Sequence, residues 1–569
     1  MHVSIACMHY RSAETVKVAS HGFLTAKCWW GNGLLFKATS ASRAVPIPGR
    51  AMYKTVLCSS TAIRKGLHTP EVTHKGPKAK RQKPPQHQYD FDLFTIGGGS
   101  AGVRAARYSA GMGAKVALCE LPRDFISSED KGGTGGTCVL RGCVPKKLMA
   151  IAGLFSEDMQ DAQGFGWKLH GKPEFDFHAL QQNKRRELER LSDTYKNNLE
   201  KAEVQFIEGR GKLIDQNTVE VNGSQYKAKH ILVATGSFAS KIPIEGAEHA
   251  ITSDEILNLD VLPEKLVVVG AGYIGCEQAC IFNNLGTEVH FIVRQDLPLA
   301  GFDKEARQFV LEQYERAGIH FHGCSSPSKI SKGANGKLTI TVEPYKREGD
   351  PFDIKGVDEV LLATGRKSRT KGIGLEEIGV ELDDKGALKV DDRSRSVSVD
   401  SIWGIGDVTS RVPLTPVARM EGTQLALHLF GGRSEAKPDY KAVPSVVFSS
   451  PQLAYVGMDE AGAVEEVKDV DVYSSTSTPM KNSLGRDGVK ELVKVVVSAK
   501  DDKVLGFHMV GSEASEIMQG FAAALYCGIT KTQLDATVGI HPSSAEEFVT
   551  LAKPTRQYRG GELTEGDAL

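Results

Sequence analysis

Nowhere in the 569 residues is there an unbroken run of eighteen apolar positions, so no segment is predicted to cross a membrane as a helix and no membrane partner is expected. Cysteine is sparse: of ten, Cys7, Cys28 and Cys58 fall in the leading segment, and the seven that remain are an odd set at irregular spacing. That excludes the paired framework of a small secreted domain. Acidic residues are almost missing from the start of the chain, where Met1 to His87 sets fourteen Lys and Arg against Glu14 and Glu71 alone. The formal net charge of zero hides this asymmetry, because the rest of the chain then carries 56 basic and 68 acidic residues. A basic face wide enough for nucleic acid is therefore not expected on the folded part.

Residues 1–88 are rich in Ser, Ala, Thr, Arg and Lys and end in KGPKAKRQKPPQHQ, Lys75 to Gln88. This composition predicts a transit peptide for an organelle; the rival is a basic tail that binds RNA or a membrane surface. A chain of this length, 41% hydrophobic, is expected to divide into three or four domains.

The folded part is organised around GGTGGTCVLRGCVPKKL, Gly132 to Leu148, which sets Cys138 and Cys143 five positions apart. That is a little more than one helical turn, so both sulfurs can share a face and close a small, reducible disulfide. The competing readings are two buried thiols or half a zinc site. Zinc usually wants a second ligand pair, and none follows.

Ahead of this motif, FDLFTIGGGSAGVRAARYSAGMGAKVALCE reads as a strand, then Gly97, Gly99 and Gly102 at GxGxxG spacing, a helix, and a second strand ending at Glu120. Glycines let a backbone turn approach a pyrophosphate, the helix N-terminus offers donors, and an acid at this distance can hold a ribose. Because the cysteines follow in the same unit, its nucleotide is expected to be FAD. The pattern repeats in KLVVVGAGYIGCEQACIFNNLGTEVHFIVR with Gly270, Gly272 and Gly275. Two such units imply two dinucleotides, a nicotinamide donor feeding a flavin. The second strand of the repeat leads to Arg294, which can pair with a 2′-phosphate, so NADPH is favoured. Near the C-terminus, GIHPSSAEEFVTLAKP holds His541 and Glu546, and a histidine tied to a carboxylate suits proton exchange with a thiol.

From about Tyr89 onward these motifs, in this order, resemble the pyridine nucleotide-disulfide oxidoreductases, and within that family the glutathione reductases of plant and algal organelles. The resemblance implies an α/β fold with two Rossmann-like dinucleotide-binding domains, for FAD and NADPH, plus a C-terminal α+β dimerisation domain. The expected boundaries are 89–237 and 369–440 for the two parts of the FAD-binding domain, 238–368 for the NADPH-binding domain and 441–569 for the dimerisation domain. The implied destination of the leader is the plastid, with the mitochondrion or both as alternatives.

The resemblance also implies residue roles. Thr137, Gly236, Asp407 and Thr415 lie toward the flavin, and Arg366 follows the second Ala-Thr-Gly turn. Ser100, Arg107 and Tyr195 contact glutathione. Lys146 pairs with Glu277 beside the flavin, and Tyr273 covers the nicotinamide pocket. His541 and Glu546 reach Cys138 of the other subunit, which makes the molecule a homodimer. Without the resemblance, Arg107, Lys146, Tyr195, Tyr273, Glu277 and Asp407 read as ordinary surface, packing or capping residues.

The chain departs from the family's pattern at four places. Gly275 stands where Ala is common, Ala300 where a second Arg is expected, Ser368 and Arg369 replace Pro-Asn, and Thr423 occupies a position that some members fill with a glutathione-binding Arg. With Asp296 also adding negative charge, the expectation is NADPH preference with weaker discrimination against NADH. The alternative activities are dihydrolipoamide dehydrogenase or another FAD disulfide reductase, and, outside catalysis, a flavin-binding redox sensor.

Overall fold

Phe91–Ile96 and Val116–Glu120 are short apolar runs buried along almost their whole length, as strands inside a parallel sheet are. The structure is a computed structural model that describes residues 88–126, 131–171 and 173–566, together with the backbone of an antiparallel pair, Trp29–Trp30 with Leu34–Leu35. The remainder of the expected transit peptide lies outside the described residues. In the first sheet the order is Gln205–Glu208, Val116–Glu120, Phe91–Ile96, Ser224–Val233 and then Ile402–Gly404, every neighbour parallel. The late strand Ile402–Gly404 thus re-enters a sheet begun three hundred residues earlier. The first half of Ser224–Val233 instead carries an antiparallel extension, Thr218–Val221 and Gly211–Asp215.

The second sheet runs His320–His322, Glu288–Ile292, Lys265–Val269, Glu359–Leu362, again all parallel. Alternation along its strands separates two cores. Leu266, Val268 and Phe291 pack with Cys276, Ala279 and Phe282 of the helix Tyr273–Asn284. Val267, Val269 and Ile292 pack on the opposite face with Ile330, Ile340 and Ile354 of the antiparallel sheet Ser325–Lys332, Leu338–Pro344, Phe352–Val357. The chain enters and leaves this unit through adjacent antiparallel strands, Ser237–Ala239 and Arg366–Ser368.

A seven-stranded antiparallel sheet closes the fold, in the order Ser445–Val447, Gln452–Gly457, Val504–Gly511, Glu491–Ser498, Val470–Ser477, Arg556–Arg559, Glu562–Glu565. Glu491–Ser498 is buried at every position, Lys494 included. Its ammonium lies 2.8 Å from Asp303 and 2.6 Å from Glu460, tying the sheet to the start of the helix Lys304–Arg316. Removing one partner of such a pair leaves a buried charge and costs about 3–5 kcal/mol. These sheets agree with the fold class expected from the sequence. The long charged helix Phe177–Glu200 is capped by Asp176, which accepts from the Ala179 N–H.

Candidate functional site

Gly97 follows the first strand with a φ of +111°, and a Cβ there would lie 2.4 Å from the Ala234 carbonyl oxygen. A Cβ at Gly102 would lie 2.0 Å from the Gly97 oxygen, so only glycine lets the helix Ser100–Gly111 begin this close to the strand. No side chain caps that helix, and Gly99, Ser100 and Ala101 line a cavity of about 940 Å³. This is near the upper end of small-molecule sites, about 300–1,000 Å³. Glu120, on the cavity wall, accepts from the N–H of Gly98 at 2.5 Å and of Leu121 at 2.7 Å. Burial raises its carboxyl pKa above the ordinary value, against the pull of these donors.

The cysteine motif differs from the single helical turn expected. Cys138 belongs to Gly136–Leu140 and Cys143 opens the separate helix Cys143–Ala162. The chain breaks at Arg141 and Gly142, where the Arg141 side chain turns inward and donates to the carbonyl oxygens of Asp124 and Gly132. The two thiols still meet, hydrogen-bonded to one another and facing the cavity. Cys143 sits 3.5 Å from the Thr415 hydroxyl, at the first position of the helix Thr415–Leu429. The hydrogen bond from Cys138, aided by Thr415 and the Lys146 ammonium and opposed by burial, brings the Cys143 thiol down to about 6. The same bond and burial push Cys138 up. A helix N-terminus favours the thiolate at Cys143 as well.

Lys146 donates to Glu277 at 2.6 Å, and both side chains are nearly buried on the cavity wall. Phe448, from the loop after Ser445–Val447, donates its N–H to the same carboxylate at 2.9 Å, and its ring carries the Lys146 and Lys147 ammonium groups at 4.4 and 4.2 Å. No motif surrounds Phe448, and nothing in the sequence pointed to it. Tyr273 stands at the cavity edge, its phenol pushed up to about 12 by burial. Thr137 and Gly236 also line the cavity. Arg366 donates to the Ser237 hydroxyl at 2.9 Å, which in turn donates to Asp407 at 2.8 Å. Ser368, one of the departures from the family pattern, donates to the Asp407 carbonyl at 2.8 Å, so the altered turn still buttresses that residue.

The second fingerprint repeats the first. Gly270 has a φ of +100°, and a Cβ at Gly275 would lie 1.9 Å from the Gly270 oxygen. Gly272 is the N-cap of Tyr273–Asn284, again without a side-chain cap. Arg294, beyond the strand Glu288–Ile292, donates to the Ser326 hydroxyl at 3.3 Å and lies over the Tyr345 ring at 5.4 Å. The glycines of this turn and Arg294 are not on the cavity that holds the dithiol, although Tyr273 between them is.

Four expected residues also lie off that cavity within this chain. Arg107 is exposed on Ser100–Gly111. Tyr195 is half-buried, its phenol raised by burial and by the nearby Cys138, and lowered in turn by Arg419 and Arg104, two cations that the sequence reading did not single out. His541 Nδ1 is 3.0 Å from Glu546 Oε1, and the imidazole is 83% exposed, turned to the outside of its own chain.

Residues 91–422 match the family described as pyridine nucleotide-disulphide oxidoreductase, and residues 443–552 match that family's dimerisation domain. The chain is 47% identical over 521 residues to the chloroplastic/mitochondrial glutathione reductase of Pisum sativum, covering 91% of this chain and 93% of the relative. A glutathione reductase of Burkholderia cepacia is 42% identical over 464 residues, 82% of this chain and 99% of the relative. One from Nostoc sp. is 40% identical over 475 residues, 81% of this chain and 99% of the relative. A dithiol held between two glycine-turn units, and sequence kinship along most of its length, place this chain in the pyridine nucleotide-disulphide oxidoreductase family.

Proposed function

We propose that the protein reduces glutathione disulfide with NADPH: NADPH + H⁺ + glutathione disulfide gives NADP⁺ and two glutathiones. The observation that carries this reading is the Cys138–Cys143 dithiol opening onto the same cavity as the first glycine turn. That cavity fits FAD, because its uncapped helix N-terminus can take a pyrophosphate and Glu120 stands where a ribose is held. The chemistry a bound FAD supplies is transfer of the nicotinamide's electron pair to the disulfide. Glu120, Thr137, Gly236, Asp407 and Thr415 would hold it, with Lys146 and Glu277 at the dithiol end.

Once reduced, Cys138 gives its proton to the neighbouring Cys143 thiolate and attacks one sulfur of glutathione disulfide, forming a mixed disulfide and expelling the first glutathione as a thiolate. His541 of the partner subunit gives that thiolate a proton, its other nitrogen held by Glu546. Cys143 then attacks the Cys138 sulfur, its proton leaving with the second glutathione, and the disulfide is restored. Ser100, Arg107 and Tyr195, with Arg104 and Arg419 close enough to act on the Tyr195 phenol, are the groups assigned to glutathione and its carboxylates. Val538 and Ile540, 91% and 77% exposed beside His541, support burial of this face by a second copy. The domain boundaries proposed are those read from the sequence, and the leader composition with the Pisum sativum relative supports import into plastids or mitochondria.

Steady-state assay with glutathione disulfide, with lipoamide and with no acceptor tests the reading; absence of glutathione-dependent NADPH oxidation rejects it. Mixing Cys138→Ser with His541→Ala chains tests the shared site. Random reassociation should restore about a quarter of full activity, because half the dimers are hybrids with one intact site. No recovery would mean that each chain supplies its own histidine.

A further inference from the structure

Away from the dithiol, four donor side chains meet at the open edge of the second parallel sheet. Glu288 and His290 alternate on Glu288–Ile292, and His320 and His322 on the edge strand His320–His322. Residues two apart on a strand share a face, and His290 is in register with His320, so all four project from one side of the sheet. The His290 ring stacks on His320 at 4.7 Å and on His322 at 5.3 Å between centroids. One donor atom from each of Glu288, His290 and His320 lies within 4.8 Å of the others.

We infer that Glu288, His290 and His320 form a site for a divalent first-row transition ion of the zinc type, with His322 orienting His290. Two imidazoles and a carboxylate are a donor set that zinc favours, and the fourth position is left to water. Donors on a tetrahedral zinc lie about 3.3 Å apart, and side-chain rotation of Glu288 and His320, both exposed, closes the difference.

The hydrogen bonds around His290 are already arranged for this. Its Nε2 lies 3.0 Å from Glu288 Oε1, and its Nδ1 lies 3.0 Å from His322 Nε2. An ion taking the place of the proton between Nε2 and the carboxylate leaves Nδ1–H donating to His322, the outer contact that fixes a metal-binding histidine's tautomer. Lys265 lies 3.0 Å from Glu288 Oε1, the oxygen that also faces His290 Nε2, and rotation of the exposed carboxylate brings an oxygen to the ion. Phe352, with its ring 5.3 Å from His322, closes one side. Copper(II) should bind more tightly than zinc, as imidazole sites generally do.

The test uses untagged, full-length holoprotein with its dithiol oxidised and its remaining thiols alkylated, titrated calorimetrically with zinc chloride and analysed for bound zinc after dialysis. The expected result is one zinc per chain more in the parent than in His290→Ala/His320→Ala, and a zinc-dependent rise in Tm that the double variant lacks. His322→Phe, which keeps a ring but removes the acceptor, should weaken binding by about 10–100-fold. His320→Gln serves if the double variant is unstable without metal, since its position is exposed on an edge strand. Equal zinc stoichiometry and affinity in the parent and in either ligand variant overturns the inference. Because neither readout depends on turnover, failure here leaves the glutathione reading untouched.

Discussion

Lys146 Nζ and Glu277 Oε1 lie 2.6 Å apart although 131 residues separate them in sequence. The pair joins the first turn of the helix that begins at Cys143 to the helix that begins at Tyr273. The same carboxylate oxygen accepts the Phe448 N–H, so three distant segments are fixed against one another at the dithiol. Both groups are almost wholly removed from water, with side-chain exposures of 12% and 4%.

Lys146→Met should therefore destabilise the fold by about 3–5 kcal/mol, because it leaves Glu277 buried beside a single neutral donor. Lys146→Met/Glu277→Leu should lose less than Lys146→Met alone, since no uncompensated charge remains. Urea unfolding of the two variants and the parent makes the comparison. Strictly additive losses would show that the two groups do not interact.

The Cys143 thiol, held at about 6, implies a thiolate in the reduced protein at neutral pH, present above that value and lost as pH falls through it. The leading cause is the hydrogen bond from Cys138, so Cys138→Ala should raise the Cys143 value toward the ordinary range of about 8.5. Cys138→Ser keeps a donor and should raise it less. Thr415→Ala should move it the same way by a smaller step. Thiolate absorbance against pH in the reduced variants measures each shift, and identical midpoints in Cys138→Ala and Cys138→Ser would contradict the assigned cause.

The parts of the site that could be read from the sequence are those where backbone geometry dictates the residue. Gly97, Gly102, Gly270 and Gly275 announce themselves because a Cβ at any of them meets a backbone oxygen, and Glu120 follows at the end of the next strand. The break between Cys138 and Cys143 was not legible. Spacing alone gives one helical turn, whereas the break coincides with long-range contacts of the Arg141 side chain to the Asp124 and Gly132 carbonyls. Phe448 was missed because its contribution is one backbone N–H and one ring face, which carry no sequence pattern. The Glu288, His290, His320 and His322 group emerges only once strand register is known, since the two strands are thirty residues apart.

His541 hydrogen-bonds Glu546 yet faces away from its own Cys138 cavity, so its loss should separate the two halves of the reaction. His541→Ala should lower kcat with glutathione disulfide by about 10²–10⁴, while reduction of the protein by NADPH stays unchanged. Glu546→Gln keeps the side chain's size and should cost less. Rapid mixing with NADPH alone, followed by glutathione disulfide, distinguishes the half-reactions. Equal slowing of both would place His541 in folding or dimer assembly.

Arg294, the residue proposed to meet the 2′-phosphate, is held by Ser326 and Tyr345 beyond the end of its strand. Asp296 is partly occupied by the Leu297 N–H at 2.9 Å, and Ala300 supplies no second cation. A single charge-assisted contact to a 2′-phosphate is worth about 1.5–3 kcal/mol, so Arg294→Ala should lower kcat/KM for NADPH by about tenfold to a hundredfold and leave the value for NADH nearly unchanged. Gly275→Ala should weaken both donors, because its Cβ would lie 1.9 Å from the Gly270 oxygen and the helix must withdraw from the turn. Parallel kcat/KM measurements with NADPH and NADH in the parent and both variants decide the matter. Comparable values for the two donors in the parent would mean that one arginine is too little for discrimination, and a clear preference of the parent for NADH would overturn the assignment of Arg294 to the phosphate.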